Sequence, residues 1–445
     1  MDLYFKKPLM KGIVLMYLNE EEKKILDSDF GSGAKKALEI LIGMGNARGA
    51  ERMVEISYAH LMPPDVMFFP YGKQGKWGQE LMQNLIEGVT KLRVPATIEP
   101  KFVDLEIARK LEFSNNEIEE MNNIMGHAVE FYEKLGVIPT YSAMPFFVYP
   151  GKLNQHVSIA ESISILWYNT MFGSRCERDD GVVSLSAAIT GRVPLIGMHK
   201  KEERYAQVIV QLKDELDPNQ FTDADFDALS LAISRRTKEK IPVITNFPKE
   251  IGSNYTKLKH LLATIAVESG LPLLHMVGIT PEAPTLESVL KPGEDVEKIL
   301  IGKEEINEAY EIACTAKNEQ VDYILLGCPH VTMSEMNDII KILTGKKIHP
   351  KVKFVISTTK LFRDTAKDMG WIDILENAGV TITDSMCIAF AGTRVSGTIA
   401  TNSIKGAFFY SGFDQTKASP VWFGSTRDCA MAALHGRWIG GVRKL

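Results

Sequence analysis

Two cysteines sit where apolar runs end, and that placement makes them candidates for chemistry. Cys328 follows an apolar run in "LLGCPHVTMSE" (325–335), and Cys387 closes "DSMC" (384–387). A thiolate at such a point can hold iron or zinc. A cysteine ending a strand is equally at home as a small buried side chain, and residue type alone leaves both readings open. The others are Cys176, Cys314 and Cys429, and no two of the five form a C-x-x-C pair. That removes a zinc ribbon and a thioredoxin-type motif. Any metal held here must draw its ligands from distant segments.

Further chemistry-bearing residues lie between 151 and 200, where Glu161, Arg175, Cys176, Arg178, Asp179 and Asp180 alternate with glycines. A charge run is usually solvated surface. Here Gly173, Gly181 and the apolar "ISILWYN" predict a loop folded against a core. His60 follows an expected strand in "ERMVEISYAH", where a satisfied core or loop histidine is the plainer reading. "LPLLHMVGITPEAPT" predicts another strand, running into a loop with Thr280, Glu282 and Thr285. No G-x-x-x-x-G-K-[ST] loop, no G-x-G-x-x-G after a strand and no G-x-S-x-G elbow is present, so the commonest nucleotide and serine-hydrolase readings fall away.

The elements that must position these residues are clearest around Cys328. "VDYILLG" (321–327) is a short apolar run suited to a strand buried on both faces. "TMSEMNDIIKILTG" opens with a T-x-x-E capping box, carries Met336, Ile339, Ile340 and Leu343 on one face and stops at Gly345. "VKFVIST", "KLFRDTAKDMGWIDILENAG" and "VTIT" predict strand, helix and strand in turn. That order gives a parallel sheet with right-handed crossovers, and the loops "GCPH", "STTK" and "DSMC" then share its carboxyl edge. Cys328 and Cys387 are thereby expected on one side of the sheet. Cys314 ("EIACTAK") and Cys429 ("RDCAMAALHG") fall within predicted helices and read as structural.

At 445 residues, 45% hydrophobic and 24% charged, with a net charge of −5, the chain has the composition of a soluble globular protein of two or three domains. Its cations are dispersed, which argues against nucleic acid. The N-terminal "MDLYFKKPLMKGIVLMYLNEEE" is too short to span a bilayer and lacks a small-residue cleavage site, so a cytoplasmic location is expected. Alternating helical and extended segments predict an α/β fold. We place boundaries at 1–145, 146–270 and 271–445.

The motifs "HMVGITPEAPTLE", "GCPHVTMSEM", "AAITGRVPLIGMH" and "TNSIKGAFFY" resemble the large-subunit domain of aconitase X, a branch of the aconitase superfamily. The resemblance runs from "LNEEEKKILDSDFG" to "GFDQTKASPVWFGSTRDCAMAALHG". It implies a fold of several α/β domains with parallel sheets around a central site, and dehydratase activity. Relatives act on cis-3-hydroxy-L-proline in one branch and on mevalonate 5-phosphate in another. It also implies an iron–sulfur cluster whose open iron serves as Lewis acid, with Cys328 and Cys387 as two ligands. A separate small subunit carrying the swivelling domain is the expected partner. Substrate contacts implied by the resemblance are His60, Glu161, Ser162, Arg175, Arg178, Asn402, Ser403 and Lys405, with no general base assigned.

One departure stands out. Where relatives carry a cysteine in a T-C-T-P-Y-like stretch, the segment here reads "YSAMPFFVYP", with Ala143 at the cysteine position. Cys176 in "GSRCERDDG" stands where relatives tend to have threonine. Cys176 is therefore a candidate third ligand. The alternatives are a metal site with other ligands or a protein without metal, serving as a binding subunit.

Overall fold

The structure is a computed structural model and describes residues 16–63, 75–101, 104–119, 132–413 and 418–445. Residues 1–15 of the N-terminal stretch considered above lie outside the described residues. No helix among the described residues is long and apolar enough to cross a membrane.

Strands β1 (Met53–Glu55), β2 (Ala59–Leu61), β3 (Ala96–Ile98), β4 (Ser158–Ile159) and β5 (Arg192–Pro194) build the first region. There β3-β2-β4 is a parallel sheet and β1 pairs antiparallel with β5. Strands β6 (Val208–Leu212), β7 (Pro242–Ile244), β8 (His275–Met276) and β9 (Glu297–Ile301) form a second parallel sheet, in the order β8-β7-β6-β9. The third has β10 (Tyr323–Val331), β11 (Lys353–Thr358), β12 (Val380–Thr383), β13 (Ile399–Thr401) and β14 (Val421–Phe423), ordered β12-β11-β10-β13-β14 and parallel throughout. The boundaries expected at 145/146 and 270/271 each cut a sheet. β4 completes the sheet of β2 and β3, and β8 and β9 complete that of β6 and β7.

The third sheet follows directly from its sequence. All nine residues of β10 are buried. Successive side chains point to opposite faces, so Ile324 and Leu326 enter one core with Met336, Ile339 and Phe354, while Tyr323 and Leu325 enter another with Val355 and Ile388; Cys328 joins the second core because the strand's register shifts between Leu326 and Val331. The helix Met333–Leu343 starts at the expected capping box, Thr332 with Glu335, and buries the predicted apolar face. The single helix expected after β11 is two, Lys360–Asp368 and Trp371–Ala378, because Gly370 adopts φ 71°, a left-handed conformation that ends a right-handed helix. Cys314 caps the end of the helix Lys303–Ala313 instead of lying inside it, and Cys429 lies in Thr426–His435 as expected.

Candidate active site

Three parallel strands of the third sheet end at one edge, and each delivers part of a cluster. Cys328 lies near the end of β10, next to Gly327, whose φ is 126°. A Cβ on Gly327 would stand 2.3 Å from the Ser357 carbonyl oxygen, so only glycine lets β10 pass so close to β11. Cys387 caps the short helix Ile388–Gly392 just beyond β12. β13 runs into Asn402 and Ser403, and Ser403 caps the short helix Ile404–Phe408, which carries Lys405.

The first sheet presents its own carboxyl edge to the same cluster. Beyond β4, Glu161 caps the helix Ser162–Met171 by accepting from Ser164 N at 2.8 Å. Its other oxygen lies 2.9 Å from Lys405 Nζ, and Ser162 Oγ is 3.0 Å from the same ammonium. Beyond β3, the buried Glu99 has Oε1 without a hydrogen-bond partner among the described residues. Burial, and then the Glu161 carboxylate, push the Glu99 carboxyl well above its ordinary range, against the pull of Lys405. The Cys387 amide donates to the Lys101 carbonyl at 2.8 Å, tying the two edges together.

Both thiols belong to this cluster. Burial pushes Cys328 up to about 12; Lys405 opposes the rise and Cys387 adds to it. Burial pushes Cys387 up to about 11, again opposed by Lys405. Lys405 resists its own desolvation because Glu161 and Cys328 favour its charge. Two unpartnered groups adjoin them. Among the described residues neither ring nitrogen of His330 is hydrogen-bonded; burial pushes it down to about 3, opposed by the Met386 backbone and aided by Lys259 and Lys405. Among the described residues the Tyr410 hydroxyl has no partner either; burial raises it and both thiols add to the effect. Buried polar groups are rarely left unbonded, so several together around two thiols mark a place built to receive something polar.

The other sequence-predicted residues are distributed differently. Asn402 and Ser403 support the cluster from behind. Asn402 Nδ2 donates to Glu335 Oε1 and Thr426 Oγ1, each at 2.9 Å, and the Ser403 hydroxyl donates to the Cys328 carbonyl. His60 lies within β2 instead of after a strand; its Nδ1 is 2.8 Å from Thr97 Oγ1, and burial holds the ring neutral, pushed down to about 3. Arg178 donates to the Ala266 carbonyl at 2.8 Å. Arg175 is held by Asn154 Oδ1 at 2.8 Å and the His199 carbonyl at 3.3 Å, on a separate cavity.

Cys176 is not brought to the other two thiols. It is fully buried in the large core, its thiol donates to the Glu177 carbonyl at 3.1 Å, and its amide donates to Asn169 Oδ1 at 3.0 Å. Burial raises its pKa, and its strongest charged neighbours are Asp179, Glu177 and Arg204, not Lys405. Ala143 does border the cluster: its carbonyl accepts from Ser164 Oγ at 3.1 Å, in the helix turn that Glu161 caps. The position expected to carry a cysteine is thus at the site, and it offers a methyl group. A cluster held by three cysteines does not fit the residues present.

Sequence reasoning missed Glu99, His330 and Tyr410. "ATIEP" and "GCPH" each held a signal, a titratable residue just past an apolar run, whereas nothing local marks Tyr410. One further group offers ligand atoms within 4.8 Å of one another: Asp223, His260 and Glu335. Glu335 is already bonded to Lys259 Nζ at 2.7 and 2.8 Å and to His260 Nε2 at 2.9 Å. Against burial and Lys259, Asp227 and Glu335 raise His260 to about 9. Lys259 and His260 thus already supply cationic partners to the Glu335 carboxylate.

Comparison with known proteins fits this geometry. Family models described as the first, second and third domains of aconitase X match residues 15–202, 206–311 and 321–435. The chain belongs to the aconitase X family. The phosphomevalonate dehydratase large subunit of Methanocaldococcus jannaschii is 30% identical over 419 residues, covering 93% of this chain and 99% of that protein. The cis-3-hydroxy-L-proline dehydratase of Pseudomonas aeruginosa is 25% identical over 433 residues, covering 96% of this chain and 71% of its own length. The crystal structure of Thermococcus kodakaraensis aconitase X in its holo-form superposes with a TM-score of 0.80 at 26% identity, over 94% of this chain and all of that one. The aconitase X domains meet the three sheets closely: the first model spans β1 to β5, the second β6 to β9 and the third β10 to β14.

Proposed function

We propose that this chain is the large subunit of an aconitase X type dehydratase. It would eliminate water from a small hydroxylated carboxylate of the mevalonate 5-phosphate or 3-hydroxyproline kind, with a separate small subunit closing the site. The observation that carries the reading is the Lys405–Glu161–Ser162 contact beside Glu99 and the two thiols, formed where two sheet edges meet. The relatives' names, phosphomevalonate dehydratase large subunit and cis-3-hydroxy-L-proline dehydratase, supply the reaction class and the term "large subunit".

The residues divide the work by charge. Lys405 and Ser162 are donors for a substrate carboxylate. Glu161 is ion-paired with Lys405, whereas burial and the Glu161 charge favour the protonated form of Glu99. Two carboxyl groups whose environments differ in this way make an acid and a base. Glu161 takes the proton from carbon, the C–H electron pair becomes the double bond, and Glu99 protonates the departing hydroxyl so that it leaves as water. The buried setting excludes bulk water and strengthens each of these interactions. No step here uses an iron–sulfur cluster on three cysteines.

Ala143 favours a second reading, in which the chain has lost turnover and serves as a binding subunit on the same fold. One experiment separates the two. The chain is purified anaerobically with its small subunit, analysed for iron and sulfide, and assayed for water elimination from mevalonate 5-phosphate and from cis-3-hydroxy-L-proline. Turnover of either substrate, abolished in Lys405→Met, supports the enzyme. A folded complex that turns over neither refutes it and leaves the binding subunit.

A further inference from the structure

A cavity of about 460 Å³ opens away from the thiol cluster, between the loop around Asn154, the turn Lys201–Arg204 and the loop 281–289. Its wall carries three cations, Arg175, Lys201 and Arg204, and one carboxylate, Glu282. Glu282 is spent on Arg204, whose Nε lies 3.0 Å from both carboxylate oxygens. Arg204 is otherwise bonded to Asn169 and to the Met198 carbonyl, so it contributes to the wall and not to binding.

Arg175 is in the opposite condition. Its side chain is buried, and among the described residues no carboxylate lies within ion-pair distance of it, Glu282 and Glu202 favouring its charge only from farther off. Asn154 and the His199 carbonyl fix the guanidinium plane with two of its five N–H groups. Buried charges in proteins are ordinarily paired, and a guanidinium clamped by two neutral acceptors on a cavity wall is a charge waiting for an anion. Lys201 is exposed and makes no ion pair among the described residues.

The third component is His275, 1% exposed. Its Nε2 donates to the Arg204 carbonyl at 2.8 Å, which leaves the buried Nδ1 without a hydrogen-bond partner among the described residues, in a residue that lines the cavity. Burial lowers the pKa of this ring, opposed by its bond to the Arg204 carbonyl and by Glu282, while the Arg204 charge adds to the fall. An anion in the cavity would reverse that balance, and a protonated Nδ1 would donate to it.

We infer that this cavity is a binding site for the phosphate group of a small phosphorylated metabolite, held by Arg175, Lys201 and His275. A planar fork, a mobile ammonium and an imidazole approach from different directions, which suits the several oxygens of a phosphate better than the two of a carboxylate. The volume exceeds what inorganic phosphate fills, so the rest of an ester has room. None of the three side chains is bonded to Lys405, Glu161 or the thiols, so the inference stands apart from the dehydratase reading and needs no turnover to test.

The test is calorimetric titration and thermal shift on the full chain with inorganic phosphate, glycerol 3-phosphate and acetate. Wild type should bind phosphate saturably and the ester more tightly, with acetate weaker than both. Lys201→Gln, at an exposed position that leaves the fold intact, should weaken phosphate binding by about tenfold. Arg175→Gln should abolish it, while Lys405→Met should leave it unchanged. No saturable phosphate binding by wild type, or binding unaffected by Lys201→Gln, overturns the site. Loss of binding in Lys405→Met with retention in Lys201→Gln overturns its location, and acetate matching phosphate overturns the ligand class.

Discussion

Two buried polar assemblies lie back to back across the end of the third sheet, and they are bonded to opposite degrees. In the inner one, Glu335 receives Lys259, His260, Asn402 and the Thr332 amide and hydroxyl, and Asp227 receives His260, Thr264 and the Ile404 amide. In the outer one, Glu99, His330 and Tyr410 each keep a polar atom unbonded beside Cys328, Cys387 and Lys405. Charge and burial are common to both, so neither property distinguishes structure from function here. Hydrogen-bond completeness does. Among the described residues the inner assembly is saturated, and the outer one has polar groups left over, which the proposed dehydratase would turn to its substrate.

The comparison breaks first if the inner assembly proves dispensable. Lys259→Met leaves Glu335 in a dry interior without its ammonium partner, and chemical denaturation should show a loss of about 3–5 kcal/mol. Glu99→Gln should do the reverse. It replaces a protonated carboxyl by a neutral amide, so the denaturation midpoint should hold while turnover of the two-subunit enzyme falls by about 100-fold or more.

Two buried histidines should also respond oppositely to pH. His60, in β2 of the first sheet, is held neutral in the fold with a pKa of about 3. The unfolded chain binds its proton first, so stability is lost as pH falls from about 6.5 towards 3. His260, in the saturated assembly, is raised to about 9. Its contribution is full below about 6.5 and is lost as pH rises through about 9. Denaturation midpoints measured across this range should lose their acid limb in His60→Gln and their alkaline limb in His260→Gln; unchanged limbs would mean that the two rings do not differ as described. The smallest effect belongs to the cap that starts the helix after β10. Thr332→Ala removes a hydroxyl bonded to Glu335, at about 1–2 kcal/mol and with no change in substrate affinity.

What the sequence disclosed follows the same division. The parallel order of β10, β11 and β12 could be read because apolar runs and a capping box are local patterns, and a shared strand direction fixed Cys328 and Cys387 to one edge. Lys405 and Glu161 came from resemblance; Glu161 follows β4 and Lys405 lies in the short helix after β13. Glu99, His330 and Tyr410 were not legible as a set, because their convergence depends on how two sheets meet, which no window of sequence contains. Cys176 misled for a related reason. Its residue type matched a need at Ala143, but Asn169 and the Glu177 carbonyl anchor it in the large core. The segment boundaries slipped because β4, β8 and β9 are strands of two to five residues, too short to leave a periodic signal.

The Glu161–Lys405 pair joins residues 244 positions apart. A contact of such long range forms only after the chain between has been ordered, because loop closure must be met before the contact returns anything. The residues of the first region leave the ribosome well before Lys405 exists, so Glu161 must wait in a partly built pocket without its counter-ion. The expectation is that the candidate site is completed late in folding. A fluorescent or isotopic label on Ser162 would report arrival of the third sheet, and with it the moment at which the polypeptide becomes able to bind.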